Sequence, residues 1–238
     1  MAKRILLITG WGVGTEVLED FALALRDKQF NVDLINIFDP AHAVTLDSYS
    51  DLAQHYDILM GWSLGGQLAS ILAEQVWQRT GQAKTLITLA SNPCFVQSEH
   101  WPKAMSQQAF SKFKQSYLDH PEACIKRFCY LISQGSLQHK KDWLTLQSLL
   151  KAQDFLEMKQ GLNTLQQLNT VPILQNYEGQ QFHLLAEQDQ LLSHQISADL
   201  HKLAAKFLNI IKIDGSHAFP VTNVKQTSEK IVQICQQL

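Results

Sequence analysis

A chain of 238 residues is long enough for one large domain with a layered core, and it needs neither disulfide nor metal to hold it. Hydrophobic residues at 45% and charged residues at 18% exclude disordered, collagenous and coiled-coil classes. Twenty Lys and Arg against 22 Asp and Glu are too balanced to coat nucleic acid or a membrane, so any electrostatic partner must use a local patch.

Short apolar runs rich in Ile, Leu and Val alternate with helical stretches. The first, Arg4–Thr9, is followed by a helical pattern over Glu16–Asp27, and Asn31–Ile37 and Tyr56–Met60 supply two further strands. Leu64–Arg79 reads as a helix and Thr85–Ala90 as a fourth strand. Gln181–Ala186 and Asn209–Ile213 close the series, with helices over Ser193–Phe207 and from Val224 onward. Continuous rather than alternating apolar runs mark strands buried on both faces, which predicts an α/β body with a parallel, doubly wound sheet in the order 2-1-3-4-5-6. Residues 98–170 break the alternation: they hold no convincing strand, carry 9 Lys and Arg against 6 Asp and Glu, and are bracketed by Asn92-Pro93 and Val171-Pro172. They read as an all-helical lid inserted into a core formed by 1–97 and 171–238.

Cys94, Cys124, Cys129 and Cys235 show no CxxC pair and no zinc-finger spacing, so reduced buried thiols are expected and no metal or cofactor is called for. Ile5–Ile8 is too short for a signal-peptide core, and no run approaches the ~18 apolar residues of a spanning helix. The expectation is a cytoplasmic monomer that binds neither nucleic acid nor membrane.

The most informative segment is Tyr56-Asp57-Ile58-Leu59-Met60-Gly61-Trp62-Ser63-Leu64-Gly65-Gly66, a buried strand entering G-x-S-x-G and then a helix. With 16 Ser and 11 Gly in the chain, chance supplies roughly 0.03 such motifs before the flanking strand and helix are demanded. The turn holds Ser63 out at the sheet edge as a nucleophile, which requires a histidine base and an acid from later in the chain.

His217, in Gly215-Ser216-His217-Ala218 just beyond the last strand, is placed over the carboxyl edge of the sheet where ligands bind. His42, His55, His100, His120, His139, His183, His194 and His201 lack that placement and read as solvated surface. Asp189, a short turn after the fifth strand, fits the acid by chain order; Glu187 and Asp214 compete, the latter reading better as a turn residue. Backbone N–H groups after the nucleophile and after the first strand would stabilise a developing oxyanion, which nominates Leu64 and Trp11. The loop Gly10-Trp11-Gly12-Val13-Gly14 lacks the third glycine of a dinucleotide fingerprint.

Gly10-Trp11-Gly12, Gly61-Trp62-Ser63-Leu64-Gly65-Gly66, Ser91-Asn92-Pro93-Cys94-Phe95 with Trp101-Pro102, Arg127-Phe128 and Gly215-Ser216-His217-Ala218 together resemble one family. It is the biotin-pathway carboxylesterase branch of the α/β-hydrolase superfamily, the pimeloyl-[acyl-carrier-protein] methyl ester esterases. The resemblance implies an α/β-hydrolase fold with a helical lid, and hydrolysis of the methyl ester of pimeloyl-acyl carrier protein to release methanol in biotin biosynthesis. It implies Ser63, Asp189 and His217 as nucleophile, acid and base, Trp11 and Leu64 as oxyanion donors, and Trp11 and Phe128 as substrate contacts. For the acidic carrier protein it implies a docking face at Arg127 and Lys140, with Lys126 and Lys141 beside them. The chain departs from the family at Thr9, where a histidine is usual, and at Ala123 and Leu144, which replace basic lid residues; a leading antiparallel hairpin is expected to be absent. A broad-specificity short-chain carboxylesterase and a non-catalytic hydrolase scaffold for binding are the competing readings.

Overall fold

The computed structural model describes residues 2–237, so residues 1 and 238, the outer limits of the expected core, lie outside it. The sheet consists of β1 (Arg4–Ile8), β2 (Asn31–Ile35), β3 (Ile58–Trp62), β4 (Thr85–Leu89), β5 (Gln181–Ala186) and β6 (Leu208–Ile213). Every pairing is parallel and the order is β2-β1-β3-β4-β5-β6, the order the apolar runs predict. Ile5 to Ile8 and Ile58 to Met60 are wholly buried because helices cover both faces of the sheet. α1 (Glu19–Arg26), α2 (Ala43–Ala53) and α3 (Leu64–Thr80) connect the first four strands, and α3 lies against β1, β3 and β4.

Local chemistry moves several boundaries from their expected places. The predicted helix over Glu16–Asp27 starts as a 3-10 turn, Thr15–Leu18, before α1. The third strand lies two residues further on than its apolar run suggests. Ahead of it, the Tyr56 hydroxyl donates to Asp33 at 2.8 Å and the Asp57 carboxylate accepts the Arg4 N–H at 2.7 Å, which fixes the approach to β3 against β2 and β1.

Between β4 and β5 run α4 (Gln107–Asp119), α5 (Pro121–Ser133), α6 (His139–Leu149), α7 (Phe155–Gln167) and α8 (Val171–Asn176). The expected all-helical character of 98–170 fails at its start, where turns and the isolated bridges Val96–Met105 and Ser98–Trp101 precede α4. Ser106 then caps α4 by accepting the Ala109 N–H at 3.1 Å. The Pro93 carbonyl gathers both ends of this excursion, accepting the Thr170 N–H at 3.0 Å, the Thr170 hydroxyl at 3.3 Å and Gln67 Nε2 at 2.9 Å. The Trp101 indole donates to Asn92 Oδ1 at 2.7 Å, which gives the Asn-Pro and Trp-Pro pairs a common structural purpose.

After β5 come α9 (Ile196–Lys202), then β6, α10 (Phe219–Thr222) and α11 (Val224–Cys235), which packs on α1. The helix predicted over Ser193–Phe207 is reduced to α9, because Ala204 takes a φ of +52° and leaves the helical region. His183 is corrected from solvated surface to core. It is 2% exposed in the middle of β5, with Nδ1 2.8 Å from the Thr88 hydroxyl, Nε2 without a partner, and its pKa lowered by burial to about 4. A polar residue inside an apolar strand run shares that strand's burial. Cys94, Cys124 and Cys129 are buried free thiols and Cys235 is half-buried. Among the described residues, no helix is long and apolar enough to cross a membrane.

Candidate active site

Ser63 stands between β3 and α3 with φ +56° and ψ −121°, a conformation that a residue with a side chain adopts only where its neighbours enforce it. Its N–H donates to the Leu89 carbonyl at 2.8 Å, and its carbonyl accepts from the Ser91 hydroxyl at 2.8 Å and the Gly66 N–H at 2.9 Å. Gly61 and Gly65 make that turn possible. A Cβ on Gly61 would land on the backbone of Gly65, and one on Gly65 would land on the carbonyls of Ile8 and Thr9. Strand, helix and the exit of β1 therefore meet backbone to backbone, with the Ser63 side chain at their junction.

Asp189 occupies the turn after β5. Its Oδ1 accepts the N–H groups of Leu191 and Leu192 at 2.8 and 3.0 Å, and its Oδ2 lies 2.8 Å from His217 Nδ1. Both side chains are buried, at 5% and 1% exposure. Burial alone would push the Asp189 carboxyl up, but the facing imidazole and the two N–H donors outweigh it, and its pKa falls below the ordinary aspartate value. An ionised Asp189 only accepts, so Nδ1 carries the imidazole proton and Nε2 is the basic nitrogen; Nε2 has no hydrogen-bond partner. The His217 carbonyl accepts the Trp62 indole N–H at 2.9 Å, which fixes the histidine loop to the strand that carries Ser63. The competing acids Glu187 and Asp214 are exposed and neither carboxylate bonds His217.

Sequence reasoning missed Gln188. Its N–H donates to the Gly215 carbonyl at 3.1 Å and its Oε1 accepts the Gly215 N–H at 2.6 Å, so one residue brackets the acid-bearing loop against the histidine-bearing loop. The only signal available was its position beside Asp189.

Trp11 is 2% exposed, with edge-on contacts to Phe113, Tyr117 and Phe128 at ring separations of 5.3, 5.3 and 5.2 Å. Its indole donates to the Met158 carbonyl on α7 at 2.8 Å. Leu64 is the first residue of α3, where a helix leaves its N–H groups unpaired. Neither the Leu64 nor the Trp11 backbone N–H donates to a backbone carbonyl among the described residues. Ser63 opens on a narrow cavity of ≈ 40 Å³ walled by Trp11, Phe95, Phe110, Phe113 and Phe128. A larger groove of ≈ 470 Å³ between α4 and α5 shares Phe113, Phe128, Met105 and Leu131 with that cavity and carries Lys112 and Arg127.

Lys126, Arg127, Lys140 and Lys141 are all exposed on α5 and α6, which pack through Tyr130 against His139 and Trp143. They do not share one opening. Arg127 lines the groove that leads toward Ser63, whereas Lys126 lines a separate cleft of ≈ 350 Å³ beside Gly12 and Met158.

No protein-family model matches the chain. It is similar to the biotin biosynthesis bifunctional protein BioHC of Teredinibacter turnerae, 32% identical over 157 residues that cover 61% of this chain and 27% of that protein. The pimeloyl-[acyl-carrier protein] methyl ester esterase of Proteus mirabilis is 24% identical over an alignment covering 99% of this chain and 93% of that protein. The chain spans less than half the length of the bifunctional relatives, 27% and 44% of them. Among solved structures, the bromoperoxidase of Bacillus anthracis superposes with a TM-score of 0.81 at 13% identity, covering 99% of this chain and 92% of that one. The fold is that of the α/β hydrolases. Sequence likeness connects the chain to the named esterases over most of its length.

Proposed function

We propose, from that likeness and from the site, that this protein is a serine carboxylesterase which hydrolyses the methyl ester of pimeloyl-acyl carrier protein to pimeloyl-acyl carrier protein and methanol in biotin biosynthesis. The observation that carries the reading is the buried Asp189–His217 pair, with an unpartnered Nε2, on a loop tied to the strand that leads into Ser63, a serine held at φ +56° over an apolar cavity.

His217 Nε2 takes the proton of the Ser63 hydroxyl as Oγ attacks the ester carbonyl, and Asp189 holds the tautomer and stabilises the imidazolium that forms. The N–H groups of Leu64 and Trp11 receive the charge that develops on the carbonyl oxygen. His217 then returns the proton to the leaving methoxide, which departs as methanol. A water attacks the acyl-Ser63 ester with His217 again as base, and collapse of the second intermediate restores the serine and frees the carboxylate. Phe113 and Phe128 suit the methylene chain of a dicarboxylic half-ester, and the bases of α5 and α6 suit an acidic carrier protein. In this reading the protein acts as a monomer in the cytoplasm.

Expression in a biotin-requiring host that lacks its own esterase tests the proposal. Growth without biotin, lost with Ser63→Ala, is the expected result. Hydrolysis of small free esters without growth would instead select the broad-specificity carboxylesterase. That alternative draws on the narrow apolar cavity, which holds no charged side chain to read the far end of a substrate.

A further inference from the structure

The loop that carries the Trp11 N–H is poorly secured by the sheet. The β1–β2 ladder ends where the Thr9 N–H donates to the Ile35 carbonyl at 3.1 Å, and residues 10–13, with a turn at Trp11-Gly12, make no further backbone hydrogen bond to the sheet among the described residues. Beyond the ring contacts of Trp11, the hydrogen bonds that secure the loop come from far along the chain, and they come twice.

The first tie is the buried bond from the Trp11 indole to the Met158 carbonyl. One helical turn further along α7, Gly161 lets the helix backbone come as close to the indole as packing permits. A Cβ added there would stand 2.7 Å from Trp11 Cδ1 and 2.8 Å from Ile37 Cδ1. The second tie starts at Thr9, the residue that stands where the resembled family has histidine. The Thr9 hydroxyl donates to Asn36 Oδ1 at 2.8 Å, and Asn36 Nδ2 donates to Gln153 Oε1 at 3.1 Å. Asn36 Oδ1 also accepts the Ile37 N–H at 2.9 Å, so its amide is locked in orientation and offers its N–H outward to Gln153. Gln153 lies in the connector that leads into α7. The loop is thus held before and at Trp11 by one stretch of chain, residues 153–161, that belongs to the helical excursion and not to the sheet.

We propose that Gln153 and Gly161 are positioning residues for the oxyanion donor, so that the seating of α7 on the sheet sets how well the Trp11 N–H meets the transition state. This rests on the assignment of Trp11 as a donor made above. An oxyanion donor must be in place before charge develops, and loss of a single one typically lowers kcat by about 10²–10³. Displacing its loop by a fraction of an ångström forfeits part of that factor while leaving substrate binding largely alone.

The test uses the full chain, a p-nitrophenyl acyl ester as substrate and a trifluoromethyl ketone as a mimic of the tetrahedral adduct. Gly161→Ala is expected to lower kcat about tenfold or more, with KM changed by less than about twofold, and to weaken the ketone in proportion to kcat. Gln153→Leu should lower kcat about threefold, again with KM little changed. A purely structural role would lower the thermal midpoint without this split between kcat and KM. Unchanged kcat in both variants overturns the proposal, as does a kcat loss that the ketone does not follow. If Gly161→Ala does not fold, Gln153→Leu decides the matter alone. Failure of the underlying reading looks different: a wild-type protein without esterase activity, or one whose activity survives Ser63→Ala.

Discussion

The strands and the helices α4–α7 solve the burial problem in opposite ways. β1 and β3 hide every side chain from Ile5 to Ile8 and from Ile58 to Met60, whereas the helical excursion leaves Leu137 fully exposed, Leu156 at 69% and Leu144 at 51%. It also displays its bases along α5 and α6. A parallel sheet covered on both faces cannot shift without losing packing throughout the core, and that rigidity is what reacting groups need. An amphipathic helical layer has apolar surface to spare, which is what capture of a flexible acyl chain needs. Under the proposed function, bond-making falls to the sheet's edge and recognition to α4–α6, while α7 joins the two through Trp11.

The largest expected effect breaks the sheet's half of this division. Ser63→Ala should remove ester hydrolysis, leaving only the ~10³–10⁴-fold over water that triads retain without a nucleophile, while the thermal midpoint stays close to wild type. Near-normal turnover in the purified variant would end the serine-hydrolase reading. Next comes the acid: Asp189→Asn is expected to cost kcat about 10⁴-fold and Asp214→Asn almost nothing, since only Asp189 bonds His217. The reverse ranking would move the acid.

The helical half is sharpened by charge reversal. Arg127→Glu combined with Lys140→Glu should raise KM for a carrier-protein ester about tenfold at low salt, with added salt doing the same to wild type, and leave a small uncharged ester unaffected. Equal slowing of both substrates would show that these bases support the helices rather than a partner.

The smallest effect concerns His183, whose burial lowers its pKa from 6.5 to about 4. The unfolded chain therefore binds more protons than the folded one between those values. Its contribution to stability is complete above about pH 6.5 and is lost as the pH falls toward 4, by up to about 3 kcal/mol. Urea midpoints of wild type and His183→Gln should converge or cross over that interval. Parallel curves would place the proton elsewhere.

Legibility followed range. The turn at Ser63 is local, so eleven consecutive residues display strand, glycines, serine and helix start together. That Asp189 and His217 come together was readable because the ends of parallel strands share one edge. Gln188 against Gly215, Trp11 against Met158 and Asn36 against Gln153 were not, because they join residues 27, 147 and 117 positions apart by bonds that leave no pattern in either segment. The misreading of His183 had a different origin: its residue type outweighed the apolar run around it, and burial follows the run. The helical boundaries failed where a single backbone angle, as at Ala204, decides between continuing and stopping.

The bonds from Thr170 to the Pro93 carbonyl bring the start and finish of a long detour to one point on the sheet. Seen from the strands, that detour is a loop already closed at its base, so lengthening, shortening or exchanging what lies beyond adds little to the entropy of closing it. A graft between related hydrolases would need only two neighbouring junctions there, and the recipient sheet would keep its own register. The cost of such a graft falls elsewhere: incoming helices would have to supply an acceptor for the Trp11 indole and an acceptor for Asn36, or the transplanted protein would bind its new substrate and turn it over slowly.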